Sequence, residues 1–88
     1  MIFVKKNIIN IIFQNIEGTS YNIRLSEDCP IEIAFIYYLM SIGRIMDKGS
    51  KKIFFCYNKH KLEIEDKTPI KEIFQNNPLP IIRVKILN

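Results

Sequence analysis

Few residues in this chain could carry bond-making chemistry. His60 is the single histidine of the 88 residues. It lies within Asn58-Lys59-His60-Lys61, a run read as the turn that follows a strand. Cys29 and Cys56, with one histidine between two lysines, do not form a zinc-binding spacing, and two cysteines do not make a disulfide framework. They are read as buried thiols of a reducing compartment. Glu63, Glu65 and Asp66 cluster after the turn and read as a solvated edge, too open to hold a metal. No nucleophile–base–acid set and no glycine-rich phosphate loop is present. The expectation is therefore no catalytic residue, no metal, no cofactor and no enzymatic activity.

What remains is the chemistry of surfaces. Residues 31–42 carry a formal charge only at Glu32. One stripe at helical spacing is Ile31, Ala34, Phe35, Tyr38, Leu39, Ile42 and Ile45. A second is Ile33, Ile36, Tyr37 and Met40. A surface helix normally has one apolar stripe, facing its core. Two stripes predict that the second is covered by a partner, because each large side chain forgoes about 1.5–3 kcal/mol when left wet. A helix of about 14 residues spans roughly 21 Å, too short for a bilayer, and no apolar run reaches about 18 residues.

The elements that would position this helix can be read around it. The apolar set holds 19 isoleucines against one alanine, an excess that fits codon bias, so single isoleucines carry little weight. Asn7 to Phe13 is β-branched and aromatic, with Asn10 facing water and Ile9, Ile11 and Phe13 facing inward. Residues 15–20 turn through Gly18, and Tyr21-Asn22-Ile23-Arg24-Leu25 alternates, which completes a hairpin. Pro30 is placed at the first helical position with Cys29 or Asp28 as N-cap, and Gly49 as the break that follows. A third strand runs from Lys52 to Tyr57 and a short fourth from Leu62 to Ile64. Thr68 and Pro69 open a helical turn through Phe74, and Ile81 to Leu87 is the last strand, with Ile82, Val84 and Ile86 inward. Residues 1–6 are assigned to an N-terminal extension and 7–88 to one domain. The start has neither the long apolar region nor the cleavage site of a signal peptide.

The order and its residues resemble the ubiquitin superfamily. The resemblance spans about residues 7–87 and is strongest in Ile53-Phe54-Phe55 through Leu62-Glu63, Thr68-Pro69-Ile70, and Ile82-Arg83-Val84-Lys85-Ile86. It implies an α+β, β-grasp (ubiquitin-like) fold: a mixed four- to five-stranded sheet, one main helix packed on one face, and a short second helical turn. Conjugated members close on Gly-Gly. This sequence closes on Leu87-Asn88, so neither conjugation nor sulfur-carrier chemistry is expected. The family's recognition patch uses small apolar side chains on the exposed sheet face. Its last-strand positions fall here at Arg83 and Lys85, which with Arg24 make that face basic and suited to an acidic partner.

The net charge of +4 agrees with that. The lysines are too scattered among nine acids, and an aromatic–glycine signature too plainly missing, for nucleic acid to be the expected ligand. The expected function is a non-enzymatic, non-conjugated docking or scaffold subunit of a larger protein assembly. Ile33, Ile36, Tyr37 and Met40 would be its anchor, and Arg24, Arg83 and Lys85 would orient it. The alternatives are a transient adaptor of the ubiquitin/proteasome system and a small nucleic-acid-associated basic protein. The expected setting is intracellular and cytoplasmic, or else organellar (mitochondrial).

Overall fold

The computed structural model describes residues 7–87; the extension assigned to 1–6 lies outside the described residues, as does Asn88. β1 (Ile8–Asn15) and β2 (Ser20–Ser26) form the hairpin, with Ile11 opposite Ile23. The reversal depends on Gly18, whose φ of +88° an L side chain adopts poorly, and on Asn15, whose side-chain oxygen accepts from the Thr19 amide at 2.9 Å. α1 (Ile31–Ser41) follows, then a 3-10 turn at Ile45–Asp47. β3 (Ile53–Tyr57), β4 (His60–Leu62), α2 (Ile70–Phe74) and β5 (Ile81–Ile86) complete the order. The strands make one mixed sheet in the order β2-β1-β5-β3-β4, with β1 and β5 parallel at its centre and the other pairs antiparallel.

Inward positions alternate as the pattern of two requires. Ile11 and Phe13 of β1, Ile82 and Val84 of β5, and Ile53 and Phe55 of β3 are buried beneath Ile31, Ala34, Phe35, Tyr38 and Leu39 of α1. Ile70 and Phe74 of α2 close the end of this core. The first helical stripe is thus the core stripe, except that Ile45 is exposed.

The helix boundaries differ from those expected, for reasons of backbone bonding. Pro30 and Pro69 are the N-caps rather than the first helical residues, and neither helix start has a side-chain cap. The two starts instead cap each other. Ile31 N–H donates to Thr68 O at 2.9 Å and Glu32 N–H to Asp66 O at 3.0 Å. In return Ile70 N–H donates to Cys29 O at 2.9 Å and Lys71 N–H to Glu27 O at 3.0 Å. Amides that a helix leaves unpaired in its first turn are satisfied by carbonyls of the segment leading into the other helix. Prolines suit the positions between, since they lack the N–H that would otherwise need a partner.

At its C-terminus α1 stops at 11 residues, not about 14. The stop is Gly43, at φ +74°, rather than Gly49. Arg44 N–H reaches back to Leu39 O at 2.8 Å and Gly43 N–H to Met40 O at 3.1 Å, the paired bonds of a Schellman ending. The β3–β4 connection is also tighter than expected. Asn58 and Lys59 alone turn the chain, both with positive φ, and His60 lies in β4 opposite Tyr57. The fourth strand is correspondingly His60–Leu62. Asn10, expected to face water, is half-buried opposite Arg24, and its side-chain oxygen is enclosed without a hydrogen bond.

Gly43→Ala forces an L side chain into the left-handed region with no packing gain, since nothing lies within 4 Å of the added carbon. It should cost about 1 kcal/mol and lower Tm by roughly 4–8 °C, read by thermal denaturation. Gly43→Asn should lose less, because asparagine tolerates this conformation.

Candidate functional site

The residues of the expected docking set fall on two surfaces. The first is the outer side of α1. Its rotation is fixed by Phe35, Tyr38 and Leu39 in the core, so Tyr37 and Met40 point away, 46% and 58% exposed. Ile33 and Ile36 are only half-buried, so the fold leaves the whole second stripe partly or fully accessible. Tyr37 and Met40 line a groove of about 430 Å³ with Ser41 of α1 and with Asn22, Ile23 and Arg24 of β2. Arg24 borders this groove from the sheet edge, although the register turns its side chain to the opposite sheet face.

The second surface is the sheet face opposite the helix. The registers place Asn22 and Arg24, Ile12 and Gln14, Ile81, Arg83 and Lys85, Phe54 and Cys56, and Lys61 on it. Among the described residues no strand contains an acidic side chain. Arg83 and Lys85 are exposed there, but the face is not simply basic. Phe54 lies between the cations with the Lys61 ammonium 5.2 Å from its ring centroid, a cation–π distance. Ile16, 76% exposed in the β1–β2 turn, joins Phe54, Cys56, Lys61, Arg83 and Lys85 around a shallow groove of about 290 Å³. The expected docking set contained neither Phe54 nor Ile16. The alternation that turns Ile53 and Phe55 inward is the signal that would have turned Phe54 outward. Ile16 carried no signal, because it sits in a turn.

The residues weighed for chemistry are not brought together into a site. His60 is exposed on β4, Cys29 lies ahead of α1 and Cys56 on β3, and both thiols are free and half-buried. Among the described residues no group of three or more His, Cys, Asp or Glu side chains is placed to hold a metal ion. Asp66 is not a free member of an acidic edge. Its carboxylate accepts from the Thr68 hydroxyl at 2.6 Å and the Thr68 amide at 2.8 Å, and these bonds hold its pKa below the ordinary 3.8. Thr68 is therefore occupied with Asp66 and does not cap α2. Lys71 of α2 is held protonated above its usual 10.5 chiefly by its bond to Asp28 at 2.8 Å, across the junction of the two helix starts. Burial, with Tyr21 nearby, raises the Tyr38 phenol.

No protein-family model matches the sequence, and no curated protein matches it. Solved structures do. The solution structure of the UBL domain of yeast Ddi1 is similar at TM-score 0.69 and 25% identity, over 98% of this chain and 99% of that one. A de novo design based on ubiquitin is similar at TM-score 0.66 and 19% identity, over 90% of this chain and 88% of that one. Among the described residues no helix is long and apolar enough to cross a membrane.

The Asp66–Thr68 bonds set a pH dependence. A carboxylate whose folded pKa is depressed stabilises the fold above its unfolded value and loses that contribution as pH falls through the folded one. Asp66→Ala should therefore be less stable than the parent by about 1 kcal/mol near neutrality. The difference should shrink toward zero in parallel denaturant titrations taken below pH 3.8. The mixed five-stranded sheet, its one main helix and these two structural likenesses together give the chain the ubiquitin-like β-grasp fold.

Proposed function

We propose that this chain is a non-enzymatic docking or scaffold subunit of a larger protein assembly. The observation that carries the reading is the second helical stripe. The fold places Tyr37 and Met40 outward, flanked by half-buried Ile33 and Ile36. Tyrosine and methionine are side-chain types enriched at interfaces. Arg24 at the rim of that groove, with Arg83 and Lys85 on the sheet face behind it, favours a partner that carries acidic groups.

A second reading, a transient adaptor of the ubiquitin/proteasome system, is favoured by the likeness to the UBL domain of Ddi1 and by the apolar floor of the sheet-face groove at Phe54 and Ile16. The first reading anchors on the helix face, with the sheet-face cations orienting it; the second uses the sheet face alone. Tyr37→Lys with Met40→Ser changes exposed side chains, so stability should move by no more than about 0.5 kcal/mol each. Binding to the native partner recovered with the parent chain should fall at least about tenfold, as for central interface residues. Arg83→Glu with Lys85→Glu should weaken the same complex less. Loss of binding only in the sheet-face variant would favour the adaptor. Unfolding of the helix variant would return Tyr37 and Met40 to the core and end the docking reading.

A further inference from the structure

The two edges of the sheet are built differently. β4, at one edge, is three residues long and carries Lys61. Short, charged edges resist pairing with another chain. β2, at the other edge, has seven residues, Ser20–Ser26, without proline, glycine or acid, and its one charge is Arg24. Among the described residues β1 is the only strand bonded to it.

The phase of its backbone follows from the bonds that bracket the hairpin. Asn15 N–H donates to Thr19 O at 3.0 Å, and Glu27 N–H to Asn7 O at 2.9 Å. Antiparallel ladders alternate, so Tyr21, Ile23 and Leu25 exchange bonds with β1. The N–H and C=O groups of Ser20, Asn22, Arg24 and Ser26 then point at the open edge.

We propose that this edge pairs with the same edge of a second copy of the chain, antiparallel about a two-fold axis at Ile23. That centre uses all seven residues. It opposes edge-facing residues in hydrogen-bonded pairs: Ser20 with Ser26 of the second copy, and Asn22 with its Arg24. Centring on Arg24 would set like charges opposite each other, which is unfavourable, and centring on Asn22 would leave Leu25 and Ser26 outside the paired strand. On the helix side Ile23 meets Ile23 and Tyr21 meets Leu25, so the apolar layer continues through the seam. The Tyr37–Met40 grooves flank it on both copies. The contact is isologous, and it closes at two. It rests on the backbone phase and the register, not on the docking function proposed above.

Sedimentation velocity on the full chain from micromolar to millimolar concentration tests this. A dimer should grow with concentration. Asn22→Pro removes an N–H that faces only the open edge, so circular dichroism should show the fold retained while dimerisation weakens at least about tenfold. Should that variant fail to fold, charge at the same position decides. Asn22→Asp sets a carboxylate opposite Arg24 twice per dimer and should tighten the dimer by roughly twofold to thirtyfold, with Asn22→Arg loosening it in similar measure. A chain that stays monomeric at millimolar concentration overturns the proposal. So does a dimer indifferent to all three variants, or a monomer whose β2 edge instead takes an extended segment of another protein.

Discussion

Everything that the surface presents depends on four rings packed between helix and sheet. Phe13 of β1 stacks on Tyr38 of α1 with centroids 4.7 Å apart, and Phe35 of α1 stacks on Phe55 of β3 at 4.3 Å. The two stacks meet edge to face: Phe13 lies 6.2 Å from Phe35 and 5.8 Å from Phe55, and Tyr38 lies 5.9 Å from Phe55. Offset-stacked and perpendicular contacts suit the ring quadrupole, each worth about 0.5–1.5 kcal/mol beyond area burial. Because α1 is apolar nearly all round, amphipathicity alone does not say which way it faces. The rings do. Phe35 and Tyr38, three residues apart, lock one face of the helix to the sheet, and the 3.6-residue turn then carries Tyr37 and Met40 outward.

Along its axis α1 is fixed by the junction at its N-terminus. Four amides from two helices find carbonyls on each other's lead-in segments, with Pro30 and Pro69 bridged between them. Lys71 and Asp28 add an exposed ion pair across the same junction, of little energetic weight in water. The backbone exchange is different in kind. If either helix slid or frayed, the amides of the other would lose their acceptors, so α2, only five residues long, is kept in place by α1 and in turn holds it.

Much of this was legible in the sequence, and the parts that were not have a common cause. The order of elements along the chain and the inward set of each strand follow from periods of two and 3.6, which are local, whereas those periods offered two stripes for α1 and the rings choose between them. The resemblance to the ubiquitin superfamily rested on the same patterns. The misplaced features are those decided by distant or backbone partners. Pro30 reads as a first helical residue until Thr68 O is seen to accept from Ile31. Gly49 reads as the helix stop until Arg44 is seen to close on Leu39. Asn58-Lys59 conceals a two-residue turn because lysine is a poor advertisement for positive φ. At the candidate site, both stripes of α1 were visible from spacing, whereas the groove that α1 shares with residues 22–24 of β2 is a tertiary fact that no local pattern carries.

Charge is sorted by the same architecture. The strands contain none of the nine acids. Several acids gather around the two helix starts instead: Glu27 and Asp28 before α1, Glu32 in its first turn, Asp66 before α2 and Glu72 in its first turn. Helix N-termini favour negative charge, so the placement is stabilising there. Its consequence appears on the opposite side of the molecule. Arg24, Arg83 and Lys85 stand on the sheet face with no ion pair among the described residues, whereas Arg44, Lys48 and Lys71 are matched by Asp47, Glu32 and Asp28. Three of the cations behind the excess of +4 thus stand where the fold has drawn the acids away, beside apolar side chains at Phe54 and Ile81. On the docking reading proposed above, such a surface would suit a neighbour that brings both negative charge and apolar area, because either one alone would leave half of it unmatched.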